Sequence, residues 1–203
     1  MTEGLRRRGR LITALGAVAV LLAGGIWWWT NRVPVVQVPD RVCGGAMSGK
    51  SVAAILPKKG GEYDEEFQPL FDPPREKLTS WCSMKAANKS ILASYSWTTS
   101  TSAPAEFLDG MGTPIQLGEA PGYMNAREAM LYLPCRDPSA VEFPRLEVSV
   151  SRLAEREVDR QRDPALMAEL VADAARYAAQ QLNCEVAPRL PAGSPVMVAG
   201  AVG

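Results

Sequence analysis

A run of nineteen uncharged residues near the amino terminus constrains the fold of this chain more than any other feature. Residues 11–29 read LITALGAVAVLLAGGIWWW and contain no Asp, Glu, Lys or Arg. As a helix the run would extend about 28 Å, close to the hydrocarbon thickness of a bilayer. A buried core helix normally carries a polar face, which this run lacks. The sequence therefore predicts a transmembrane helix over residues 11–30.

The residues that flank this run predict its orientation. Residues 1–10 form a basic tail, and three tryptophans close the run, where an aromatic belt is found in membrane proteins. The predicted membrane-interface residues are Arg6, Arg7, Arg8, Arg10, Trp27, Trp28 and Trp29. The positive-inside rule makes the tail cytoplasmic, so we predict a single-pass protein of the cell membrane with an extracellular main domain. A signal peptide cleaved after Gly25 is the alternative, and it also exports that domain.

The charge balance and the absence of histidine exclude several functions. Beyond residues 1–30 the chain carries 18 basic and 21 acidic residues, a formal net charge of −3. Such a chain has no general attraction to phosphate backbones, so we predict no nucleic-acid partner. The chain contains no histidine. Ser-His-Asp and Cys-His catalysis and imidazole metal sites are therefore excluded.

The four cysteines indicate disulfide bonds. Cys43, Cys82, Cys135 and Cys184 are separated by gaps of 39, 53 and 49 residues. Zinc sites usually place cysteines in close CxxC pairs, so zinc and free buried thiols are the weaker alternatives. An even number of cysteines on the exported side favours two disulfides. Three pairings are possible, and we prefer Cys43–Cys82 with Cys135–Cys184 because they close the shortest loops.

Hydrophobic periodicity predicts the elements of the domain. Residues 31–42 are predicted to form a spacer or an edge strand, and a short helix is predicted over 48–56, with Ser48 at its start. Strands are predicted at 79–85 and 90–98 around a turn at Asn88, at 114–117, at 128–134 and at 146–153. Residues 57–79, which hold an acidic cluster, are predicted as a solvated loop, and 99–126 as a mostly irregular connection. A helix is predicted over 164–183, capped by Asp163 and ended by Asn183.

These elements predict one domain of the α+β class over residues 43–185. Four or five mostly antiparallel strands form a single sheet, helices pack on one of its faces, and two disulfides link the elements. The apolar stripe of the long helix predicts its buried face and consists of Met167, Leu170, Val171, Ala174, Ala178 and Leu182. Residues 186–203 are predicted to be a mobile tail.

One motif suggests nucleotide binding and is rejected. Residues 44–51, GGAMSGKS, satisfy the phosphate-binding pattern GxxxxGK[ST]. That chemistry needs a buried parallel strand before the loop and a full helix after it. Here the preceding residues make a poor strand, and the following helix must end before Pro57. We therefore predict no nucleotide partner and no cofactor.

Three stretches resemble a known group of proteins. They are Cys43-Gly44-Gly45 with the helix that follows, AMLYLPC at residues 129–135, and the alanine-rich helix that ends at Leu182-Asn183-Cys184. Together with Cys82 they resemble actinobacterial envelope proteins of unknown function, which are membrane-anchored or secreted. The resemblance implies an extracytoplasmic α+β domain and implies no activity. The chain departs from lipoprotein relatives because no cysteine follows LLAGG.

We therefore expect a non-catalytic envelope module that contacts the bilayer through residues 11–30 and binds an unknown envelope protein or polymer. One alternative is a helper subunit of a membrane complex, because small residues in the membrane segment would allow close helix approach. Another is a histidine-free hydrolase whose catalytic groups are carboxylates from distant segments.

Overall fold

One large antiparallel sheet dominates the structure. The computed structural model describes Leu22 and residues 24–28, 33–68, 79–98, 111–135, 145–154 and 164–198. Eight strands lie in the order β10-β6-β7-β8-β9-β5-β4-β3, and every neighbouring pair is antiparallel. The strands are β3 (Tyr63–Phe67), β4 (Thr79–Ala86), β5 (Lys89–Thr98), β6 (Thr113–Leu117), β7 (Ala120–Met124), β8 (Glu128–Pro134), β9 (Arg145–Ala154) and β10 (Val196–Met197). A separate hairpin pairs β1 (Arg41–Val42) with β2 (Met47–Ser48).

The helices pack on one face of this sheet, which we call the inner face. Helix α1 (Gly49–Ile55) follows the small hairpin, and helix α2 (Pro164–Gln181) lies across β8 and β9. A short 3-10 helix (Ala187–Arg189) follows α2. The inner face of β9 presents Leu146, Val148 and Val150, all buried in the main core. Because side chains alternate along a strand, the polar residues between them point to the opposite face.

The predicted apolar stripe of helix α2 is confirmed. The buried surface of the helix is wider than this stripe. Five of the six predicted positions are buried, and Leu182 packs against the same core. The neighbouring alanines are buried as well and extend the contact surface, namely Ala168, Ala172, Ala175 and Ala179. They are buried because α1 and the β1–β2 hairpin pack on α2 beside the sheet. The predicted cap Asp163 lies outside the described residues.

The end of α2 follows from the residue at position 183. Asn183 has φ +53°, a left-handed conformation that asparagine tolerates better than most residues. This turn lets the Asn183 N–H donate to the Gln180 carbonyl at 3.2 Å and the Cys184 N–H donate to the Ala179 carbonyl at 2.9 Å. These two bonds form a Schellman motif and satisfy carbonyls that the helix end leaves without partners.

The two preferred disulfides are present. Cys43 bonds Cys82 and so joins the β1–β2 hairpin to β4. Cys135 bonds Cys184 and so joins the end of β8 to the end of α2. All four cysteines are buried. The predicted connectivity is therefore confirmed, and each bridge closes a loop that does not overlap the other.

The predicted class and sheet type are confirmed, but the strand number was wrong. The predicted strands at 79–85, 90–98, 114–117, 128–134 and 146–153 all lie in the sheet. Strand β3 lies in the segment that we predicted to be a loop. Its acidic residues indicated a solvated loop, but the segment pairs with β4 as an edge strand of the sheet. Strand β7 was missed because Pro121 and Gly122 in its sequence APGYM indicate a turn.

Ordered packing continues on both sides of residues 43–185. Val36 and Val38, in the predicted spacer, pack against the core. Val186 and Leu190, both in the predicted tail, are buried, and β10 pairs with β6. The tail is held because its apolar residues cover the sheet and because the Arg176 guanidinium donates to the carbonyls of Pro191 and Gly193.

The predicted transmembrane helix lies almost wholly outside the described residues. Leu22 and residues 24–28 are helical. In the portion of the chain that is described, no helix has both the length and the apolar character needed to cross a bilayer. Arg6, Arg7, Arg8, Arg10 and Trp29 are not among the described residues, so their membrane role stays a prediction.

Candidate functional site

The face of the sheet opposite α2, which we call the outer face, has a different composition from the inner one. Strand pairing arranges its side chains in rows that cross β4, β5, β9 and β8. The first row is Thr79, Ser96, Glu147 and Tyr132. The second is Trp81, Ser94, Ser149 and Met130, and it continues to Tyr123 on β7. The third is Ser83, Leu92, Ser151 and Glu128.

Small hydroxyl side chains occupy the middle of this face. We call Ser94 and Ser96 on β5 and Ser149 and Ser151 on β9 the serine floor. Each is half-buried. The β4 side carries the larger Trp81, and the β8 side carries Met130 and Tyr132, so the smaller serines lie between bulkier side chains. We call this strip of the outer face, which follows β5 and β9 and includes the half-buried Leu92 beside the serines, the trough.

Several polar groups of the trough have no partner among the described residues. Ser94 and Ser149 share a hydrogen bond of 2.8 Å between their hydroxyls. Across the described parts of the chain, no hydrogen bond involves the hydroxyls of Ser83, Ser96 or Ser151. The Glu147 carboxylate likewise makes no hydrogen bond or ion pair to a described residue. Ser83 is buried, whereas the half-buried Ser96, Ser151 and Glu147 retain their capacity to bind something other than the protein itself.

An aromatic and acidic cluster borders the trough on β7 and β8. The Tyr123 hydroxyl donates to Glu128 Oε1 at 2.8 Å. Tyr123 and Tyr132 are buried together and pack against Met130. Burial, with the negative charge of Glu147 and then Glu128, raises the pKa of Tyr132 to about 12. Burial and the hydrogen bond to Glu128 raise the pKa of Tyr123. Both phenols are therefore neutral hydrogen-bonding groups at physiological pH.

Glu147 lies in an environment that disfavours its charge. Burial raises the pKa of its carboxyl, and the negative charge of Glu128 raises it further. The register does not bring the two carboxylates opposite each other, because Glu147 pairs with Tyr132 and Glu128 pairs with Ser151. Positions 128 and 132 of β8 are four residues apart, roughly 13 Å along the strand. Glu147 and Glu128 therefore lie in rows of the outer face that are not adjacent.

Three of the four acidic residues at positions 62–66, namely Asp64, Glu65 and Glu66, lie in strand β3, where we predicted a solvated loop. Glu65 faces inward beside the Cys43–Cys82 disulfide. Its Oε1 accepts the Cys43 N–H at 2.7 Å, and its Oε2 accepts the Tyr63 hydroxyl at 2.7 Å. One carboxylate oxygen and the two sulfurs lie within 4.8 Å of one another. Since the sulfurs are bonded to each other, neither is a thiolate that a metal could bind, and Glu65 serves here to hold the turn at Cys43.

The segment that matches the phosphate-binding pattern has other roles in this fold. It forms the turn of the β1–β2 hairpin, where Gly44 and Gly45 have φ +65° and +94°. A side chain on Gly49 would meet the Pro39 carbonyl oxygen at 1.6 Å, so packing explains this glycine. The Ser48 N–H donates to Asp173 Oδ2 at 3.2 Å, and the Ser51 hydroxyl donates to Glu169 Oε1 at 2.9 Å. Two groups that a phosphate and its magnesium would need are thus bound to carboxylates of α2.

The serine floor was the part of the site that sequence reasoning missed. The alternating segments SILASYSWT and LEVSVSRL identified β5 and β9 as half-buried strands and their serines as the polar side. They did not show that the two strands are neighbours, with Ser94 opposite Ser149. A signal was present, since a solvated sheet face normally mixes charged and long polar side chains rather than repeating serine.

The chain matches no protein-family model, no curated protein and no solved structure. The outer face and the two disulfides are therefore the observations on which a functional proposal depends.

Proposed function

We propose that this protein is a non-catalytic envelope module, anchored in the cell membrane by residues 11–30, whose extracytoplasmic domain binds a partner on its outer sheet face. The two buried disulfides carry the proposal. Stable disulfides persist in oxidising compartments and are rare in the reducing cytosol. The disulfides join elements of one core, so their formation and the folding of the domain take place in the same compartment.

The exposed amino-terminal helix supports the anchor. Leu22, Ile26, Trp27 and Trp28 are 62%, 65%, 70% and 57% exposed. Large apolar side chains exposed in succession mark a surface that another apolar phase covers. The uncharged run that precedes these residues and the arginines before it favour lipid as that phase.

The outer face supports binding. It carries hydroxyl and carboxylate groups that the fold leaves without partners, while the inner face is occupied by the core. A face of this kind offers hydrogen bonds to a polar partner at little cost in reorganisation, because regular strands hold the side chains in place.

Fractionation of cells that express the full chain tests the proposal. Membranes are isolated, and the protein is digested without reduction and analysed by mass spectrometry. We expect residues 11–30 to be retained in the membrane fraction and the linked peptides Cys43–Cys82 and Cys135–Cys184 to be recovered. An external protease applied to intact spheroplasts should digest the domain. Recovery from the cytosol with all four thiols open to alkylation would contradict the proposal.

A further inference from the structure

We propose that the trough on the outer face binds a neutral, hydroxyl-rich polymer, that is, a glycan chain, through the serine floor and Glu147. The inference rests on the proposed function and names the class of ligand for the same face. It starts from polar groups that the fold positions but does not use.

The kinds of group in the trough match the hydroxyls of sugars. A serine hydroxyl both donates and accepts a hydrogen bond, and a carboxylate accepts up to four. Sugar hydroxyls also donate and accept. The free hydroxyls of Ser96 and Ser151 lie at the two ends of the serine floor, with the bonded pair Ser94 and Ser149 between them. Several neighbouring sugar hydroxyls can therefore be bound along the two strands.

The arrangement of the trough along two strands suits an extended chain. The serines run along β5 and β9 beside Leu92, with the half-buried Trp81 of β4 on one side and Met130 and Tyr132 of β8 on the other. Aromatic rings with a polar edge, such as tryptophan, commonly line surfaces that are apolar on one side and wet on the other. The carbon-bound hydrogens of a sugar ring present such an apolar side.

Charge argues against an anionic polymer. The ionisable groups within the trough on β8 and β9 are Glu128 and Glu147, and both are acidic. The basic groups of the same face lie one row beyond the trough at either end: Arg145 on β9, and Lys85 on β4, which pairs with Glu66 at 3.6 Å. A polymer that carries phosphate or carboxylate groups along its length would therefore meet two carboxylates inside a partly buried site, which is unfavourable.

The other classes of partner fit less well. An extended peptide gains most of its affinity from main-chain pairing at a sheet edge, whereas the trough lies on a face and offers side chains only. A lipid chain needs an apolar groove, whereas along β5 and β9 the trough offers four serines, Glu147 and a single leucine, Leu92. Neutral glycan is therefore the class that the geometry, the hydrogen-bonding groups and the charge all favour.

Retention on insoluble glycans tests this inference with the full chain in detergent. The probes are cellulose and chitin, with carboxymethyl-cellulose as the anionic counterpart of the same backbone. We expect retention on the neutral polymers and little retention on carboxymethyl-cellulose. No retention on either neutral polymer, or stronger retention on the anionic one, would overturn the inference.

Variants locate the binding. Ser96→Ala combined with Ser151→Ala removes two free hydroxyls and should weaken retention by about tenfold or more, since two hydrogen bonds to the ligand are lost. Ser90→Ala is the matched control. Ser90 also lies on β5 and on the same face, but its hydroxyl donates a hydrogen bond to the Leu153 carbonyl. Equal retention of the double variant and the native chain, with both disulfides intact, would also overturn the inference.

The result is separable from the test of the proposed function. Membrane location and disulfide pairing are measured in cells and do not depend on glycan retention. If the protein is found in the membrane with both disulfides formed but is not retained on either neutral polymer, the proposed envelope function stands and the glycan inference is rejected.

Discussion

Glu147 shows how one side chain on the outer face can oppose folding. Burial and the charge of Glu128 raise the pKa of its carboxyl above the unfolded value. A group whose pKa is raised on folding binds more protons in the folded state. Its stabilising contribution is therefore complete below the unfolded pKa of about 4.3 and is lost as the pH rises through the raised folded value.

Replacing this carboxyl should remove that pH dependence. We expect Glu147→Gln to be more stable than the native chain at neutral pH, and the difference to shrink as the pH falls below about 4. Urea unfolding of both proteins from neutral pH to below pH 4 measures this difference in the free energy of unfolding, because the other carboxylates are common to both proteins. The matched control is Glu119→Gln, since Glu119 is exposed and bonded only to Arg189 at the surface. A neutral-pH difference that is absent or of opposite sign would contradict the assignment.

Gly122 marks a close approach of two backbones. A side chain at this position would meet the Met130 carbonyl oxygen at 1.9 Å, across the β7–β8 ladder. We expect Gly122→Ala to lower the free energy of unfolding by about 2–4 kcal/mol, because backbone must move to admit the methyl group. Gly193→Ala should lower it by only about 1 kcal/mol, since open space surrounds Gly193 and only its positive φ is strained. Thermal unfolding of the two variants compares them.

At the scale of the element, the end of α2 depends on a left-handed residue. Glycine adopts this conformation without strain, so Asn183→Gly should be neutral or stabilise by up to about 1 kcal/mol. Asn183→Val should destabilise by about 1–2 kcal/mol, because a branched side chain crowds the backbone there. Urea unfolding measures both. Equal stability of the two variants would show that the Schellman bonds do not determine how the helix ends.

The elements also show how far sequence could predict this fold. Strands β5 and β9 were predictable because each alternates apolar and polar residues along its length. Helix α2 was predictable because its apolar stripe runs up to Leu182 and the next residue, Asn183, is a typical helix-ending residue. Strand β3 could not be found in the same way, since the inward position next to Tyr63 is held by Glu65, which accepts the Cys43 N–H instead of packing as an apolar side chain. The trough was hidden because it depends on which strands are neighbours, and that pairing is not local in sequence.

At the scale of the whole molecule, the disulfides carry much of the stability. The cysteines of each pair are 39 and 49 residues apart, for which chain-entropy arguments give about 4 kcal/mol per bridge. We expect Cys135→Ser with Cys184→Ser to lose roughly that amount, and the variant without either bridge not to fold stably. Urea unfolding under non-reducing conditions measures the loss. A quadruple variant as stable as the native chain would contradict this account.

The order of the bridges has a consequence for biogenesis. Each cysteine bonds the next one along the chain, Cys43 to Cys82 and Cys135 to Cys184. With the export proposed above, a thiol oxidase that acts on the polypeptide as it leaves the cytosol, joining each new cysteine to its free predecessor, would make only native bonds. Maturation of this domain should then require an oxidase but no isomerase to reshuffle mispaired sulfurs.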